Sequence, residues 1–236
     1  MKNAIWTLLI GALLSGCAGD EGSSAPMVRI AKKARRSGNS EAAVNFYNKA
    51  LEMNPNNPEA LLGLAEAYID LKLLDAALEF IKKAEAQDCD AAKSHYLRGK
   101  IFLLSGNSAN AEKEFRKSGS IDALNAIGAV CDNRGEHKKA QELYKQVIAK
   151  SPNYIDAYNN MGLSLMLLGK YKEAIFYLEN ACSLPDANAA YRSNLALAYG
   201  LIGNLEKAKT IYAQDFEDRE LEEKIAYLQD IIAARR

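Results

Sequence analysis

The chain has 236 residues, and its 30 basic and 30 acidic side chains cancel at pH 7. That balance leaves no basic footprint for nucleic acid, while 49% apolar residues are enough for a sizeable core. Four cysteines stand at spacings that match no metal or redox motif.

Residues 1–16 read MKNAIWTLLIGALLSG. Lys2 comes first, an apolar run follows, and the small Ser15 and Gly16 close the segment, which is the layout of a secretory signal. The run is about half the ~20 residues a membrane-spanning helix needs. Leu14-Ser15-Gly16-Cys17 resembles the bacterial lipobox. The resemblance implies that the Cys17 thiol receives a diacylglycerol, that the signal is cut before it, and that the new amino terminus is acylated. Several acyl chains give a stable membrane anchor where one does not. Residues 17–26 then form a lipidated cysteine and a small, polar, flexible tether. Ala18 follows the cysteine, not Asp, and similarity to Gram-negative lipoproteins implies export to the periplasmic face of the outer membrane. Removing residues 1–16 takes away only Lys2, so 29 basic residues would face 30 acidic ones.

The next stretch is basic, with Arg29, Lys32, Lys33, Arg35 and Arg36. Anionic headgroups attract such clusters by ~1 kcal/mol per charge; a plain solvated face has the same sequence pattern.

Residues 27–217 repeat. Gly135, Gly169 and Gly203 stand 34 residues apart, as do Gly128 and Gly162, Ala140, Ala174 and Ala208, and Tyr144, Leu178 and Tyr212. This pattern resembles the tetratricopeptide repeat, and the resemblance implies an all-α solenoid of about six helical hairpins. The first hairpin ends with Ala43, Tyr47, Ala50 and Pro55, and the second carries Leu61, Leu64-Ala65, Tyr68, Ala77 and Ile81. The third runs through Gly99, Phe102, Ala111 and Phe115, after which the fourth begins about five residues early. Its second helix or following loop must be short, which disturbs the stacking there. Small residues let helix backbones approach, and large ones fill the space between them. Gly38, Gly106, Gly135, Gly169 and Gly203 follow the first helices, where a left-handed residue ends a helix most easily without a Cβ. Lys72 stands at that place in the second hairpin.

Residues 218–236 place Leu221, Ile225, Leu228, Ile231 and Ile232 at helical spacing and predict a capping helix over the last hairpin. Neither His95 nor His137 clusters with other catalytic side chains, and the three later cysteines, Cys89, Cys131 and Cys182, read as apolar filler. The sequence points to no catalytic residues, metal, cofactor or small-molecule substrate.

The tetratricopeptide resemblance implies that the first helices line a concave groove for a protein partner. Asn125 and Asn159 fall at one groove position with Ser193, and Asn160 and Asn194 at the next. An asparagine amide both donates and accepts, so it matches a peptide unit. Leu163, Met166, Leu197 and Tyr96 would take apolar side chains. The segments NLALAYGLIGNLEKAKTIYAQDF and IAYLQ resemble the TadD family, the tetratricopeptide lipoproteins of the Tad (tight adherence, Flp pilus) system. That resemblance implies an assembly factor that binds a secretin or another pilus-machine subunit. The type IV pilus pilotins share the layout, and a cell-envelope scaffold near peptidoglycan synthesis is a further alternative.

Overall fold

The computed structural model describes residues 23–87 and 89–234. The signal, Cys17 and the first part of the tether, with Arg235 and Arg236, lie outside the described residues. The described residues form thirteen α-helices and no strand. They divide into two compact units, each with its own stacked hairpins.

The amino-terminal unit has two hairpins: α1 (Ala25–Arg36) with α2 (Ser40–Met53), and α3 (Pro58–Asp70) with α4 (Leu74–Glu85). The carboxy-terminal unit has four: α5 (Ala91–Leu104) with α6 (Ser108–Ser118), α7 (Ile121–Asn133) with α8 (His137–Lys150), α9 (Ile155–Leu167) with α10 (Tyr171–Ser183), and α11 (Ala189–Leu201) with α12 (Leu205–Tyr212). A final helix, α13 (Asp218–Ala233), packs on α11 and α12.

The helices end where the repeat spacing puts glycine. Gly38, Gly106, Gly135, Gly169 and Gly203 all have φ between 72° and 87°, and Lys72 takes the same left-handed place at 61°. In three of these turns the next residue is an asparagine, and Asn39, Asn107 and Asn204 each accept the backbone N–H three residues on. One Gly-Asn pair therefore closes one helix and caps the next.

Packing follows the small and large positions. Ala43, Ala77, Ala111, Ala140, Ala174 and Ala208 are fully buried on the second helices. Four residues on, Tyr47, Ile81, Phe115, Tyr144, Leu178 and Tyr212 fill the cores, each large side chain contributing about 1.5–3 kcal/mol when fully buried. A Cβ on Gly99, Gly128 or Gly162 would overlap Phe115, Tyr144 or Leu178 of the same hairpin. One on Gly200 would overlap Leu228, which is how α13 closes the last hairpin.

The third hairpin is short, as its spacing predicts. Helix α6 has 11 residues against 14 in α2 and α8. Left-handed Gly119 ends α6, and Ser120 immediately caps α7 by accepting the Ala123 N–H. Helices α7, α9 and α11 pack successively on one another, whereas α5 reaches α7 chiefly through α6.

Candidate functional site

Helices α7, α9 and α11 carry the four predicted asparagines, and the fold brings all four together. The Asn194 Nδ2 donates to Asn159 Oδ1 at 2.8 Å, the Asn159 Nδ2 to Asn160 Oδ1 at 3.4 Å, and the Asn160 Nδ2 to Asn125 Oδ1 at 3.2 Å. The result is a continuous amide ladder across three hairpins. Asn125 and Asn159 are buried at its base, while Asn160 and Asn194 are half-buried. Each amide has two donors and two acceptor lone pairs, so Asn194, with one bond in the ladder, and Asn160, with two, both keep capacity.

Four of the other predicted residues stand on the ladder's own helices, α9 and α11. Met166 and Leu197 are half-buried against the core, and Leu163 and Ser193 are half-buried on α9 and α11. Leu167, one residue beyond Met166, is 67% exposed. Tyr96 stands on α5, its ring 5.8 Å from that of Phe115, and it lies close enough to Tyr154 to act on it electrostatically.

Two further polar braces join the same hairpins. Tyr154 donates to Asp122 at 2.6 Å, and Tyr191 to Asp156 at 2.5 Å. Burial, reinforced by these carboxylates, pushes both phenols well above their ordinary range. Asp122 and Asp156 stand 34 residues apart on α7 and α9, a signal as regular as the asparagines. Deeper down, Asp132 gathers three neighbours. Its Oδ1 accepts from fully buried Ser164 of the next hairpin at 2.7 Å and lies 2.8 Å from His137 Nδ1, and its Oδ2 accepts from Tyr144 at 3.0 Å. Burial and Asp132 together raise the Tyr144 phenol far above its usual range. His137 is thus part of a structural network, and His95 pairs with buried Glu114 at 2.8 Å.

The three first helices α7, α9 and α11 carry the acidic Asp122, Asp132 and Asp156 and a single cation, Arg192. Arg192 is engaged by Asp215, which accepts from both Nε and Nη2. The Arg192 guanidinium holds the Asp215 carboxyl below the usual carboxylate range. These three first helices therefore offer chiefly amides, carboxylates and apolar side chains. Among the described residues no three metal-ligating side chains gather, and Cys89, Cys131 and Cys182 are unbridged.

Comparison with known proteins agrees with this architecture. Tetratricopeptide repeat families match residues 34–101, 133–169 and 155–184. The chain therefore carries tetratricopeptide repeats, which form protein-binding scaffolds. Human tetratricopeptide repeat protein 13 is 26% identical over 129 residues, 52% of this chain and 15% of that protein. The chain spans only 8% of a second curated relative, human tetratricopeptide repeat protein 28. Among solved structures, PilW, a widely conserved type IV pilus biogenesis factor, superposes with a TM-score of 0.66 at 21% identity, over 84% of this chain and 96% of PilW. The pilF protein of Pseudomonas aeruginosa superposes with a TM-score of 0.61 at 18% identity, over 83% of this chain and 90% of that one. Likeness at this level of identity establishes the fold.

Proposed function

We propose that the protein is a lipid-anchored assembly factor of the cell envelope, whose α7–α11 groove holds an extended segment of a protein partner. The observation that carries the reading is the amide ladder from Asn194 to Asn125, with the half-buried Leu163, Met166 and Leu197 on the same helices. Extended backbone presents N–H and C=O groups that such amides match, and half-buried apolar residues beside them receive alternate side chains.

The partner we propose is a pilus-machine subunit, foremost a secretin of a Tad/Flp-type system. Support comes from the resemblance of Leu14–Cys17 to a lipobox ahead of a repeat domain and from the likeness of the NLALAYGL and IAYLQ segments to the TadD family. Two solved proteins of the same fold, PilW and pilF, add context, since PilW is described as a type IV pilus biogenesis factor. On this reading Cys17 holds the chain on the periplasmic face of the outer membrane, where a secretin assembles.

The test compares cells carrying Cys17→Ser, cells carrying Asn160→Ala with Asn194→Ala, and a deletion. The readout is the amount and location of secretin multimers, with pili counted in parallel. Loss of outer-membrane multimers in all three is the expected result. Normal multimers with missing pili would transfer the role to a later pilus subunit. Normal multimers and normal pili would overturn the pilus reading in favour of a cell-wall scaffold.

A further inference from the structure

Five basic residues crowd helix α1, but the fold treats them differently. Lys32 is ion-paired with Glu59 of α3, and Arg35 reaches both Asp70 at 3.1 Å and Glu66 at 3.3 Å. These two cations are neutralised by carboxylates of α3, Lys32 at the surface and Arg35 in a more enclosed place. Arg29, Lys33 and Arg36 are exposed and form no ion pair among the described residues. Their spacing of four and three residues sets them within about 60° of one another around a helix that turns ~100° per residue. Ile30, 42% exposed, borders this stripe. The buried side of α1, with Val28 and Ala31, faces the opposite way.

The stripe also has a defined place along the chain. Helix α1 starts at Ala25, eight residues after Cys17. Eight fully extended residues reach at most ~28 Å. A chain held by lipid at Cys17 therefore keeps α1 within that distance of the headgroups, at the high effective concentration of any short tether. From Cys17 to Arg36 the chain has five basic residues and two acidic ones, Asp20 and Glu21.

We infer that the Arg29–Lys33–Arg36 face of α1 is a docking surface for anionic phospholipid, which lays the first hairpin against the membrane. The inference rests on the lipid anchor at Cys17. Three cations on one face contribute additively to such attraction, and a tether makes even this modest sum effective. Ile30 enters the interfacial layer beside them.

The experiment uses the lipidated chain reconstituted on vesicles, with amine-directed labelling read residue by residue. On vesicles of phosphatidylethanolamine with phosphatidylglycerol, Lys33 should label at least about threefold more slowly than on phosphatidylcholine vesicles. Exposed Lys145, in the other unit, should label alike on both. Arg29→Glu with Arg36→Glu should restore Lys33 labelling on the anionic vesicles, as should high salt, which shortens the screening length to about 3 Å at 1 M. Equal Lys33 labelling on the two vesicle types, or protection that persists in the double variant, would overturn the inference. Flotation of the same samples separates the two claims. A chain that floats with Lys33 open counts against the docking face alone, whereas a chain that does not float removes the anchor and the docking face together.

Discussion

Two tyrosines at the same repeat position behave differently in the two units. Tyr47 and Tyr144 are both buried, and both rings lie over a glycine. Tyr144 covers Gly128 within its own hairpin and donates its hydroxyl to Asp132. Tyr47 instead reaches Gly63 of the next hairpin, and its hydroxyl, like the nearby Arg35 Nε, is buried without a partner. Burial and the Glu66 carboxylate push the Tyr47 phenol up to about 12. The repeat pattern dictates a large side chain over a small one; it does not dictate where the polar tip goes. In the carboxy-terminal unit the Tyr144 tip joins a network that links consecutive hairpins, whereas the amino-terminal unit leaves the Tyr47 tip unmatched.

The largest effect comes from filling the glycines. Gly128→Val places new atoms where the Tyr144 ring stands, and Gly63→Val where the Tyr47 ring stands. Overpacking of this kind costs about 3 kcal/mol, read as a fall in the denaturant midpoint. Each loss should be rescued in part by truncating its own tyrosine to alanine; leucine is not small enough, since a Cβ on Gly162 would overlap even Leu178. Tyr47→Ala should rescue only Gly63→Val, and Tyr144→Ala only Gly128→Val. Crossed rescue would mean that the two tyrosines do not each lie on the glycine assigned to them.

Next in size is removal of the hydroxyls. Tyr144→Phe leaves the half-buried Asp132 carboxylate short of one donor and should cost about 1–2 kcal/mol. Tyr47→Phe removes a polar atom that has no partner, so its cost should be near zero or negative. Equal losses in the two variants, measured by urea unfolding, would erase the distinction between the units.

These contrasts also mark what could be read in advance. The 34-residue step of glycine and alanine made the hairpins legible, because each marks a geometric need: a left-handed turn or a close helix approach. The early start of the fourth hairpin likewise announced the short α6, and the apolar spacing after Asp218 announced the cap. The asparagines were legible as a set on successive first helices, yet their bonding to one another was not. Asn194 pairs with Asn159 and Asn160 with Asn125, each 35 residues away, so each bond joins one repeat position to the position before it in the preceding hairpin. The brace from Ser164 to Asp132 spans 32 residues and follows no repeat register, so periodicity alone could not reveal it. The Tyr154–Asp122 and Tyr191–Asp156 braces left half a signal, the 34-residue spacing of the two aspartates. Their tyrosines occupy different repeat positions, so only the fold pairs them.

The smallest effect tests the amino-terminal unit's remaining departure from its repeat. Lys72 holds φ at 61°, where the other five hairpin turns use glycine. A side chain in this conformation brings its Cβ against the backbone at a cost of roughly 1–2 kcal/mol. Glycine removes that cost but gives the unfolded chain more freedom, which takes back about 0.5–1 kcal/mol. Lys72→Gly should therefore stabilise the protein by about 0.5–1 kcal/mol. The turn's own bonds do not depend on the side chain, since Leu73 N–H donates to Tyr68 C=O at 2.8 Å and Lys72 N–H to Ile69 C=O at 3.0 Å. Lys72→Ala keeps the Cβ and should give no such gain. If alanine stabilises as much as glycine, the strain lies in the lysine's charge or length and not in the backbone. The reverse change in the carboxy-terminal unit, Gly203→Lys, should lose a similar amount, because a built Cβ at Gly203 meets nothing within 4 Å and only the dihedral opposes it.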